Sequence, residues 1–553
     1  MIMENKKAAN FIIANISLPF CCGDEEIINI AQQRMKRVGV DPAQLHFRLY
    51  KKSIDARKKQ DIRAVCSVVA TSEQLFSVKE ELLVRNSVKI YSEELPVPTF
   101  GSEKLGARPL VVGMGPCGMF AALLLAENGY KPILIDRGGS VEERVAAVDS
   151  FYKTQVLNTS TNIQFGAGGA GTFSDGKLVT RINDPNCNFV LKTFHRFGAP
   201  DDILTKAKPH IGTDVLRKVV ANILCEIERL GGQLLYNCRF DGVLEKKGNL
   251  IAKTSLGDIE CGVCVLAVGH SARDTYEMLM NKGFDIAPKP FSVGVRVEHL
   301  QEDIDEALFG NFAGHEKLGK GEYNLSYTKG DRGVYTFCMC PGGEVVAAAS
   351  EEDSVVVNGM SGYARDGRNA NSAVAVSVSP GDFGGDVRRA IEFQRSLERK
   401  AFLLGGGNYT APCETMGDFI SGRAVHEPSR IMPTYMGGNC KVADIGEIFP
   451  SFVTESLKIG FSQFDRKISG FAAKDAVLTA VETRTSAPLT IRRGEEMTAT
   501  GNDRIYPAGE GAGYAGGITS AAVDGVKTAL KIMARFSKIS FNPEELCLQR
   551  EKY

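Results

Sequence analysis

The residues with the most informative chemistry are three glycines and one acid in the first third of the chain. Gly113, Gly115 and Gly118 form the pattern G-x-G-x-x-G, and Asp136 follows at about the 20-residue distance that this pattern favours. The first glycine permits a tight turn, the second lets a pyrophosphate touch the backbone, and the third lets a helix lie close on a strand. Asp136 can accept hydrogen bonds from ribose hydroxyls. This spacing predicts a dinucleotide site, and by itself it does not separate NAD from FAD.

The elements around these residues fit the same prediction. The sequence predicts an apolar strand from Pro109 to Val112, a helix from about Pro116 until Gly129, and a second strand that ends at Ile135 and delivers Asp136. The helix N-terminus would present unpaired N–H groups and the positive end of the helix dipole to the phosphates. The glycine pattern therefore has the strand, helix and strand that a dinucleotide-binding unit needs.

Two later segments extend this unit. Residues 231–271 are typical of a strand, a β-meander and a final buried strand that ends in Ala267 to His270. Near the C-terminus, a short strand ending at Gly509 is followed by a glycine-rich turn and by a helix with apolar spacing over residues 518–536. We expect the N-terminus of this helix at the carboxyl edge of the sheet, where ligands bind in open α/β folds.

Together these segments resemble the glutathione-reductase-like superfamily of FAD proteins. The resemblance implies an α/β two-dinucleotide-binding-domain FAD fold, with a Rossmann-like parallel sheet, a β-meander and noncovalent FAD. It places Gly509 and Glu510 at the ribityl chain and phosphate, and the helix that begins near Gly517 at the flavin pyrimidine ring. The superfamily usually has Glu in place of Asp136 and Asp in place of Glu510, so both positions retain a carboxylate. The implied cofactor contacts are Gly113, Gly115, Pro116, Cys117, Gly118, Asp136, Arg137, Gly168, Gly169, Phe240, Ala267, Gly269, Gly509, Glu510, Gly517, Ile518 and Thr519.

Four further segments narrow the resemblance. They are NIQFGAGGAGTFSDGKL at 162–178, KPHIGTD at 208–214, NGMSGYARDGRNANSA at 358–373 and VETRTSAPLTIRRGE at 481–495. They are similar to a bacterial family of FAD-dependent dehydrogenases, or NAD(P)/FAD-dependent oxidoreductases, that carries an N-terminal α+β domain. This resemblance covers nearly the full chain and implies the fold and the cofactor but no substrate. We therefore expect a dehydrogenase or reductase in which flavin N5 carries hydride.

The order of predicted elements divides the chain into four segments. Residues 1–100 predict a ferredoxin-like α+β domain in β-α-β-β-α-β order, with its second helix near residues 73–84. Residues 101–284 form the first part of the FAD-binding domain, and residues 285–476 form an inserted α+β substrate or cap domain. Residues 477–553 form the closing part of the FAD-binding domain and the C-terminal tail.

Candidate chemistry outside these contacts comes from cationic side chains. Lys177, Arg181, His210, Arg365 and Arg484 are candidates to converge on an anionic substrate or on the negative charge of reduced flavin. Each has a structural alternative as an exposed or ion-paired residue. Because hydride chemistry belongs to the flavin, no side-chain nucleophile is required.

The chain carries a single dinucleotide fingerprint. A second glycine cluster, Gly405 to Gly407, lacks the flanking strand, helix and acid. The sequence therefore predicts no second Rossmann unit for NAD(P)H. If NAD(P)H is the electron donor, it binds in the cap or only transiently.

Two cysteine pairs stand out among the 14 cysteines. Cys261 and Cys264 have C-x-x-C spacing but lie in an apolar run typical of a buried strand, without a second C-x-x-C to complete a zinc site. Cys338 and Cys340 alternate in a strand-like stretch. We interpret all four as buried structural thiols and predict no metal site.

Composition limits the partners of the protein. The 553 residues suggest about three domains. Because 66 basic residues balance 66 acidic ones, the net charge does not favour binding to nucleic acid or to an anionic membrane. No signal peptide and no apolar run of about 18 residues is evident, which predicts a cytoplasmic protein with a small-molecule substrate. The sequence does not predict the oligomeric state.

A basic patch in the first domain leaves an alternative open. Residues 51–59, KKSIDARKK, could contact RNA, which would indicate a flavin-dependent nucleic-acid-modifying or RNA-binding factor. The other interpretation is a solvated strand and turn, and we favour it, so a nucleic-acid partner is not expected. A third hypothesis is an FAD-binding scaffold without turnover.

Overall fold

The computed structural model of the protein describes residues 5–92, 95–246, 248–422 and 425–538. Within these residues no helix is both long enough and apolar enough to cross a membrane.

The N-terminal unit is a four-stranded antiparallel sheet in the order β2-β3-β1-β4. Along the chain its elements follow the predicted β-α-β-β-α-β order. They are β1 (Asn5–Pro19), α1 (Asp24–Val38), β2 (His46–Asp55), β3 (Arg63–Lys79), α2 (Glu80–Arg85) and β4 (Val88–Ile90).

The second helix of this unit differs from the prediction. It begins only at Glu80, because residues 73–79 continue strand β3. The start of β1 pairs with this stretch, with Ala8 opposite Phe76 and Lys6 opposite Val78. The partner strand therefore supplies the hydrogen bonds that hold residues 73–79 extended.

The second unit alternates strands and helices. Three of its strands, Leu110–Val112, Ile133–Ile135 and Cys264–Leu266, are short, apolar and fully buried, which is typical of parallel strands covered on both faces. Its elements are β5 (Leu110–Val112), α3 (Pro116–Glu127), β6 (Ile133–Ile135), α4 (Val141–Thr154), α5 (Asn186–Arg196), α6 (Thr213–Arg229), β7 (Gln233–Leu235), β8 (Phe240–Lys246), β9 (Asn249–Thr254), β10 (Gly257–Cys261), β11 (Cys264–Leu266) and α7 (Arg273–Asn281). Strands β8, β9 and β10 form the three-stranded antiparallel meander.

The inserted unit is built on a seven-stranded sheet in the order β14-β15-β18-β13-β21-β19-β20. Its elements are β12 (Ile286–Pro288), β13 (Phe291–Leu300), α8 (Gln301–Phe309), β14 (Ser326–Lys329), β15 (Arg332–Cys340), β16 (Glu344–Ala347), β17 (Val357–Met360), β18 (Asn369–Val378), α9 (Pro380–Phe383), α10 (Val387–Gly405), β19 (Ala411–Thr415), α11 (Met416–Ser421), β20 (Cys440–Val442), α12 (Ser451–Asp465), β21 (Val477–Glu482) and β22 (Leu489–Ile491). We call this sheet the cap sheet.

The cap sheet extends beyond the predicted boundary at residue 476. Strand β21 pairs with β13 and β19, so residues 477–482 belong to this sheet. The chain leaves and re-enters the second unit through a two-stranded antiparallel ribbon of β12 and β22. Because the two crossing strands pair with each other, both junctions lie at one place.

The chain closes with β23 (Ile505–Pro507) and α13 (Ile518–Arg535). Strand β23 joins a five-stranded sheet in the order β23-β11-β5-β6-β7, in which every pair is parallel. Helix α13 crosses α3 very closely, since a Cβ on Gly525 would lie 2.1 Å from the Cys117 carbonyl oxygen. The closing segment thus completes a sheet begun almost 400 residues earlier.

The N-terminal unit contacts the rest of the chain mainly through one strand and one apolar cluster. Lys52 in β2 exchanges backbone hydrogen bonds with Thr205 and Ala207 at 2.7 and 2.8 Å. Phe20 and Ile62 pack with Phe309 and Leu318. Part of the basic patch therefore lies in a contact between units.

Candidate functional site

Three parallel strands end at one level of the five-stranded sheet. The register places Leu266 of β11 opposite both Val112 of β5 and Pro507 of β23. The loops that follow are in contact, because a Cβ on Gly113 would lie 2.2 Å from the Ala267 carbonyl oxygen and a Cβ on Gly511 2.4 Å from that of Gly269. The structure thus brings the fingerprint, the Ala267–Gly269 segment and the Gly509–Glu510 segment to one edge.

Each fingerprint glycine has a distinct geometry. Gly113 has a φ of +105°, which favours glycine, and a Cβ on Gly118 would lie 1.8 Å from the Gly113 carbonyl oxygen. Gly115 differs, because its added Cβ would meet nothing nearer than the Gly169 Cα at 3.9 Å. Gly113 and Gly118 are therefore required by the fold, whereas Gly115 borders open space.

The acid after the second strand is tied into the fingerprint loop. The Asp136 carboxylate accepts the Met114 N–H at 2.8 Å and the Gly138 N–H at 2.9 Å, and the residue is 8% exposed. Each carboxylate oxygen keeps a further lone pair for a ribose hydroxyl. Asp136 thus positions the loop and can also bind a nucleotide.

Two of the other predicted contacts have protein partners of their own. Arg137 donates to Asp274 at 2.8 Å and stacks on the Phe165 ring at 4.3 Å. Phe240 is buried in the cluster that includes Val112 and Ile135. Their part in cofactor binding stays a prediction.

The segment from Gly168 to Leu178, which we call the glycine strip, runs along this edge. Its start touches the fingerprint, since the Gly168 N–H donates to the Met114 carbonyl at 2.8 Å. Its end touches α13, since the Thr519 hydroxyl donates to the Leu178 carbonyl at 2.8 Å. The strip therefore joins the fingerprint to the start of the last helix.

The start of α13 is held in place by an ion pair. Asp524 accepts the Gly509 N–H at 2.7 Å and pairs with Arg493 at 2.7 Å. By contrast, the half-buried Glu510 carboxylate has no hydrogen bond or ion pair within the described ranges. Glu510 is therefore available to a ligand at this edge.

These residues fit a bound dinucleotide. Gly115, Gly269 and Gly517 belong to the three loops at the edge, and a Cβ on Gly269 or Gly517 would meet no atom within 4 Å. Gly517 precedes the first residue of α13, so the helix N-terminus opens onto the same space. The edge thus offers an open cradle of backbone with a carboxylate, Asp136 or Glu510, near each end.

The comparisons with known proteins decide the family. A family model described as FAD-dependent protein, C-terminal domain-like, matches residues 290–485, and a domain of unknown function, DUF8436, matches residues 13–71. A protein of Clostridium beijerinckii, described as uncharacterised, is 45% identical over 537 residues, which cover 95% of this chain and 98% of the relative.

The chain belongs to this FAD-dependent family. FAD is its cofactor. Solved structures that share similarity include CtdE in complex with FAD, 12% identical, with 78% of this chain and 87% of that chain covered and a TM-score of 0.32. A variant of the halogenase PltM in complex with FAD is 11% identical, with 77% and 68% covered and a TM-score of 0.32.

In this FAD-dependent protein, three of the five cationic candidates lie together. Lys177 and Arg365 both bind the fully buried Asp175, at 2.9 and 2.5 Å. The backbone of His210 forms an isolated β-bridge with Lys177 of the strip. The His210 ring stacks on Tyr363, with ring centroids 5.5 Å apart. The glycine strip thus ends in a charged cluster.

The cluster is already compensated electrically. Glu322 also binds Lys177 at 3.2 Å. Burial raises the pKa of the Asp175 carboxyl, but the charges of Lys177 and Arg365 lower it by more, so the pKa lies below its ordinary value. Burial lowers the pKa of His210, and the charge of Arg365 lowers it further, so the imidazole is neutral near pH 7. Two carboxylates therefore oppose the cations, and the cluster is not a bare anion site.

The other two candidates lie elsewhere. Arg484 is buried in a second ion cluster, where it donates to Glu398 at 3.1 Å beside Arg273, which binds the same carboxylate at 2.7 Å. Arg181 is exposed. Carboxylates in two separate places bind three of the five candidates, Lys177, Arg365 and Arg484, so the structure does not bring all five together.

Sequence reasoning missed several charged residues of these clusters. Asp175 stands two residues before Lys177, so an extended strip would have predicted that the two share a face. Arg273 and Glu398 gave no such signal, because 125 positions separate them. His270 is also partly buried beside Glu510, and burial lowers the pKa of its imidazole.

Proposed function

We propose that this protein is an FAD-dependent oxidoreductase that acts on a small molecule bound between the flavin and the cap sheet. The observation that carries this proposal is the course of the glycine strip. It begins at the fingerprint loop, continues through Asp175 and Lys177, which bind Arg365 and Glu322 of the inserted unit, and ends at Leu178, which accepts the Thr519 hydroxyl at the start of α13. The strip thus connects the cofactor edge to the inserted unit, which is large enough to form a substrate cap.

The protein residues have separate roles in this proposal. Bound FAD supplies the hydride chemistry at flavin N5. Asp136 would bind the adenosine ribose, and Glu510 the ribityl chain. The N-terminus of α13 would stabilise negative charge on the flavin pyrimidine ring, since a helix N-terminus favours anions.

The cap side would bind and orient the substrate. Asp175 and Glu322 hold the hydrogen-bond donors of Lys177 and Arg365 in place. His210 lies beside them, with its Nε2 3.1 Å from the Tyr363 carbonyl oxygen. Because these carboxylates balance the cations, a polar neutral substrate or one with a single acidic group fits better than a polyanion. Neutral His210 can accept or donate one proton.

The finer architecture is part of the same proposal. A parallel sheet, a β-meander and an inserted sheet support a two-dinucleotide-binding-domain FAD fold with a cap, and the sheet order β2-β3-β1-β4 supports a ferredoxin-like N-terminal domain. NAD(P)H would act as a transient donor. A cytoplasmic location stays a prediction.

Anaerobic reduction of the FAD-loaded protein tests this function. NADH, NADPH and a panel of alcohols, amines, amino acids and thiols would be added separately, with the flavin absorbance as readout. We expect at least one donor to bleach the flavin, and Glu510→Ala to weaken FAD binding. Retention of FAD with no reduction by any donor would indicate a scaffold without turnover.

A pair of variants tests the cap side. Arg365→Met should raise the KM for the identified donor, because it removes one fixed hydrogen-bond donor from the cluster. Arg181→Met is the matched control, since Arg181 is exposed and outside both ion clusters. Equal KM values in the two variants would show that the cluster only supports the fold.

A further inference from the structure

The N-terminal unit contacts two segments that carry charged side chains to the glycine strip. The first is residues 205–212, which we call the bridging segment and which contain Lys208 and His210. The second is residues 310–322 between α8 and β14, which we call the cap loop and which end at Glu322. The bridging segment belongs to the second unit and the cap loop to the inserted unit. The N-terminal unit therefore lies across the junction of the other two units.

The bridging segment begins as a partner of strand β2. The Lys52 N–H donates to the Thr205 carbonyl at 2.7 Å, and the Lys52 carbonyl accepts the Ala207 N–H at 2.8 Å. The segment is at the surface here, since Lys206 is exposed. On the side of the second unit, the Asp202 carbonyl accepts the N–H groups of Thr205 and Lys206 at 3.1 and 2.8 Å. Strand β2 thus supplies the hydrogen bonds that hold this part of the segment extended.

The bridging segment ends as a partner of the glycine strip. The Ile211 N–H donates to the Gly176 carbonyl at 3.1 Å, and the Leu178 N–H donates to the Pro209 carbonyl at 2.9 Å. His210 lies between these two hydrogen bonds and forms the β-bridge with the strip. One short extended segment therefore joins the N-terminal unit directly to the strip.

The start of the cap loop packs on the N-terminal unit. The Phe20 ring lies edge-on against the rings of Phe312 and His315, with centroids 5.3 and 4.9 Å apart. The Lys317 ammonium donates to the Cys21 carbonyl at 2.6 Å. The N-terminal unit therefore holds the first half of this loop in place.

The end of the cap loop carries the acid that joins the other two units. Glu322 binds Lys177 and Lys208 of the second unit, both at 3.2 Å, and lies 3.6 Å from Arg365 of the inserted unit. The Asp305 carboxylate of α8 accepts the N–H of the preceding loop residue at 2.6 Å. Because Glu322 and its two lysine partners belong to different units, the charged cluster closes only when the cap loop and the bridging segment lie side by side.

Part of the basic patch lies in the same contact. Ile54 and Ala56, within residues 51–59, pack against the apolar cluster that contains Phe309 and Leu318 of the inserted unit. Apolar side chains in a charged stretch are explained when they are covered by another part of the protein. A partner within the chain therefore accounts for this part of the patch.

We propose that the N-terminal unit is a clamp that positions the substrate site, because it holds the bridging segment and the cap loop side by side. Lys52 and Phe20 are its positioning residues, and they act through His210 and Glu322 rather than on the substrate itself. This inference rests on the proposed oxidoreductase function and gives the N-terminal unit a role in that reaction.

Release of the clamp should affect the substrate more than the cofactor. The cofactor edge is built by the five-stranded sheet and α13, whereas the clamp reaches the strip through the bridging segment. We therefore expect release to raise the KM for the electron donor, with the FAD content and kcat close to those of the wild type.

Hydrogen–deuterium exchange of the FAD-loaded full chain tests the clamp before any substrate is known. Phe20→Ala removes the ring that packs on the cap loop. Lys52→Pro removes the N–H that β2 donates to Thr205, and an edge strand tolerates proline where the N–H does not pair within its own sheet. We expect about tenfold faster exchange in the cap loop of Phe20→Ala and in the bridging segment of Lys52→Pro.

Phe76→Ala is the matched control, because Phe76 packs on the core of the N-terminal unit itself. It should leave the exchange of both segments and the KM at wild-type values. In Phe20→Ala and Lys52→Pro, a KM raised by about threefold or more at unchanged FAD content would support the clamp.

Two results would overturn the clamp: wild-type exchange of both segments in both variants, or faster exchange with a wild-type KM. Failure of the proposed oxidoreductase function would be recognised separately, as a wild-type flavin that no donor reduces. In that case the exchange of the two segments would still decide whether the N-terminal unit holds them together.

Discussion

At the scale of single residues, the glycines of the fingerprint have different physical roles. Gly118 lies against the backbone of Gly113, so an added side chain there would disturb the packing of a helix on a strand. Gly115 faces open space, and nothing in the protein itself forbids a side chain. A glycine that the fold does not need is explained by a ligand that approaches the backbone.

Gly115→Leu should therefore remove FAD while leaving the apoprotein folded. The added Cβ would meet no protein atom nearer than the Gly169 Cα at 3.9 Å, and the leucine side chain would occupy the space of the pyrophosphate. The FAD-to-protein ratio and the circular dichroism of the purified variant would measure both effects. Gly381→Leu, at an exposed glycine in α9, is the control and should keep FAD. Full FAD retention in Gly115→Leu would contradict the assignment of this loop.

At the scale of elements, the first turn of α13 combines a tether and a free helix end. The Thr519 hydroxyl binds the glycine strip, and the backbone N–H groups of this turn open onto the cradle. A helix N-terminus contributes about 0.3–2 kcal/mol to a nearby anion. Two substitutions at one position can separate the two contributions.

Thr519→Pro should weaken FAD binding and lower the flavin reduction potential, and Thr519→Val should change both less. Proline removes the hydroxyl and one N–H but is tolerated in the first turn of a helix, whereas valine removes only the hydroxyl. The difference between the two variants in a potentiometric titration reports the N–H. Identical potentials would show that this helix end does not stabilise the reduced flavin.

Strand β19 carries a buried acid that gives the cap sheet a pH dependence. Burial raises the pKa of Glu414 to about 7, although its carboxylate accepts the Ile445 N–H at 3.1 Å. The folded state then binds more protons than the unfolded state between about pH 4.5 and pH 7, so Glu414 reduces stability as pH rises through this window. Above it the cost is at most about 3 kcal/mol.

Glu414→Gln should therefore flatten the dependence of Tm on pH and raise Tm at pH 8 relative to the wild type. The glutamine carbonyl can still accept the Ile445 N–H but carries no charge. Thermal denaturation of the FAD-loaded proteins between pH 5 and pH 8 would measure this. Glu316→Gln, at an exposed acid, should run parallel to the wild type. Parallel profiles for Glu414→Gln would contradict the pKa shift.

At the scale of the whole molecule, the N-terminal unit is attached mainly by its edge strand and one small apolar cluster. The linker that follows it is anchored to the second unit instead. The Gly101 N–H donates to the Met533 carbonyl at 2.9 Å, and Glu103 pairs with Arg535 at 2.7 Å and with Arg504 at 2.9 Å. The linker therefore stabilises the end of α13.

A chain that begins at residue 100 should fold and keep FAD, because every cofactor element follows the linker. A chain that begins at residue 108 should also bind FAD but melt at a lower temperature, since it loses the Glu103 ion pairs. The FAD-to-protein ratio and thermal denaturation of both chains would measure this. Apoprotein or aggregation from residue 100 onward would show that the N-terminal unit completes the flavin core.

The sequence by itself predicted the segments that meet at the carboxyl edge of the sheet. The fingerprint, Asp136 and the glycine turn after Tyr506 depend on local rules, namely glycine conformations, helix starts and apolar strands. In the structure, β11 lies between β5 and β23 in one sheet, so the loops after these three strands meet. The sequence could not show that β3 runs on to Lys79 or that β21 joins the cap sheet, because the partner strands that hold these residues are distant in the chain. Only the tertiary structure separated Arg484 and Arg181 from the other cationic candidates. Burial and charge decide which polar residues compensate one another, and both are set by contacts between remote segments.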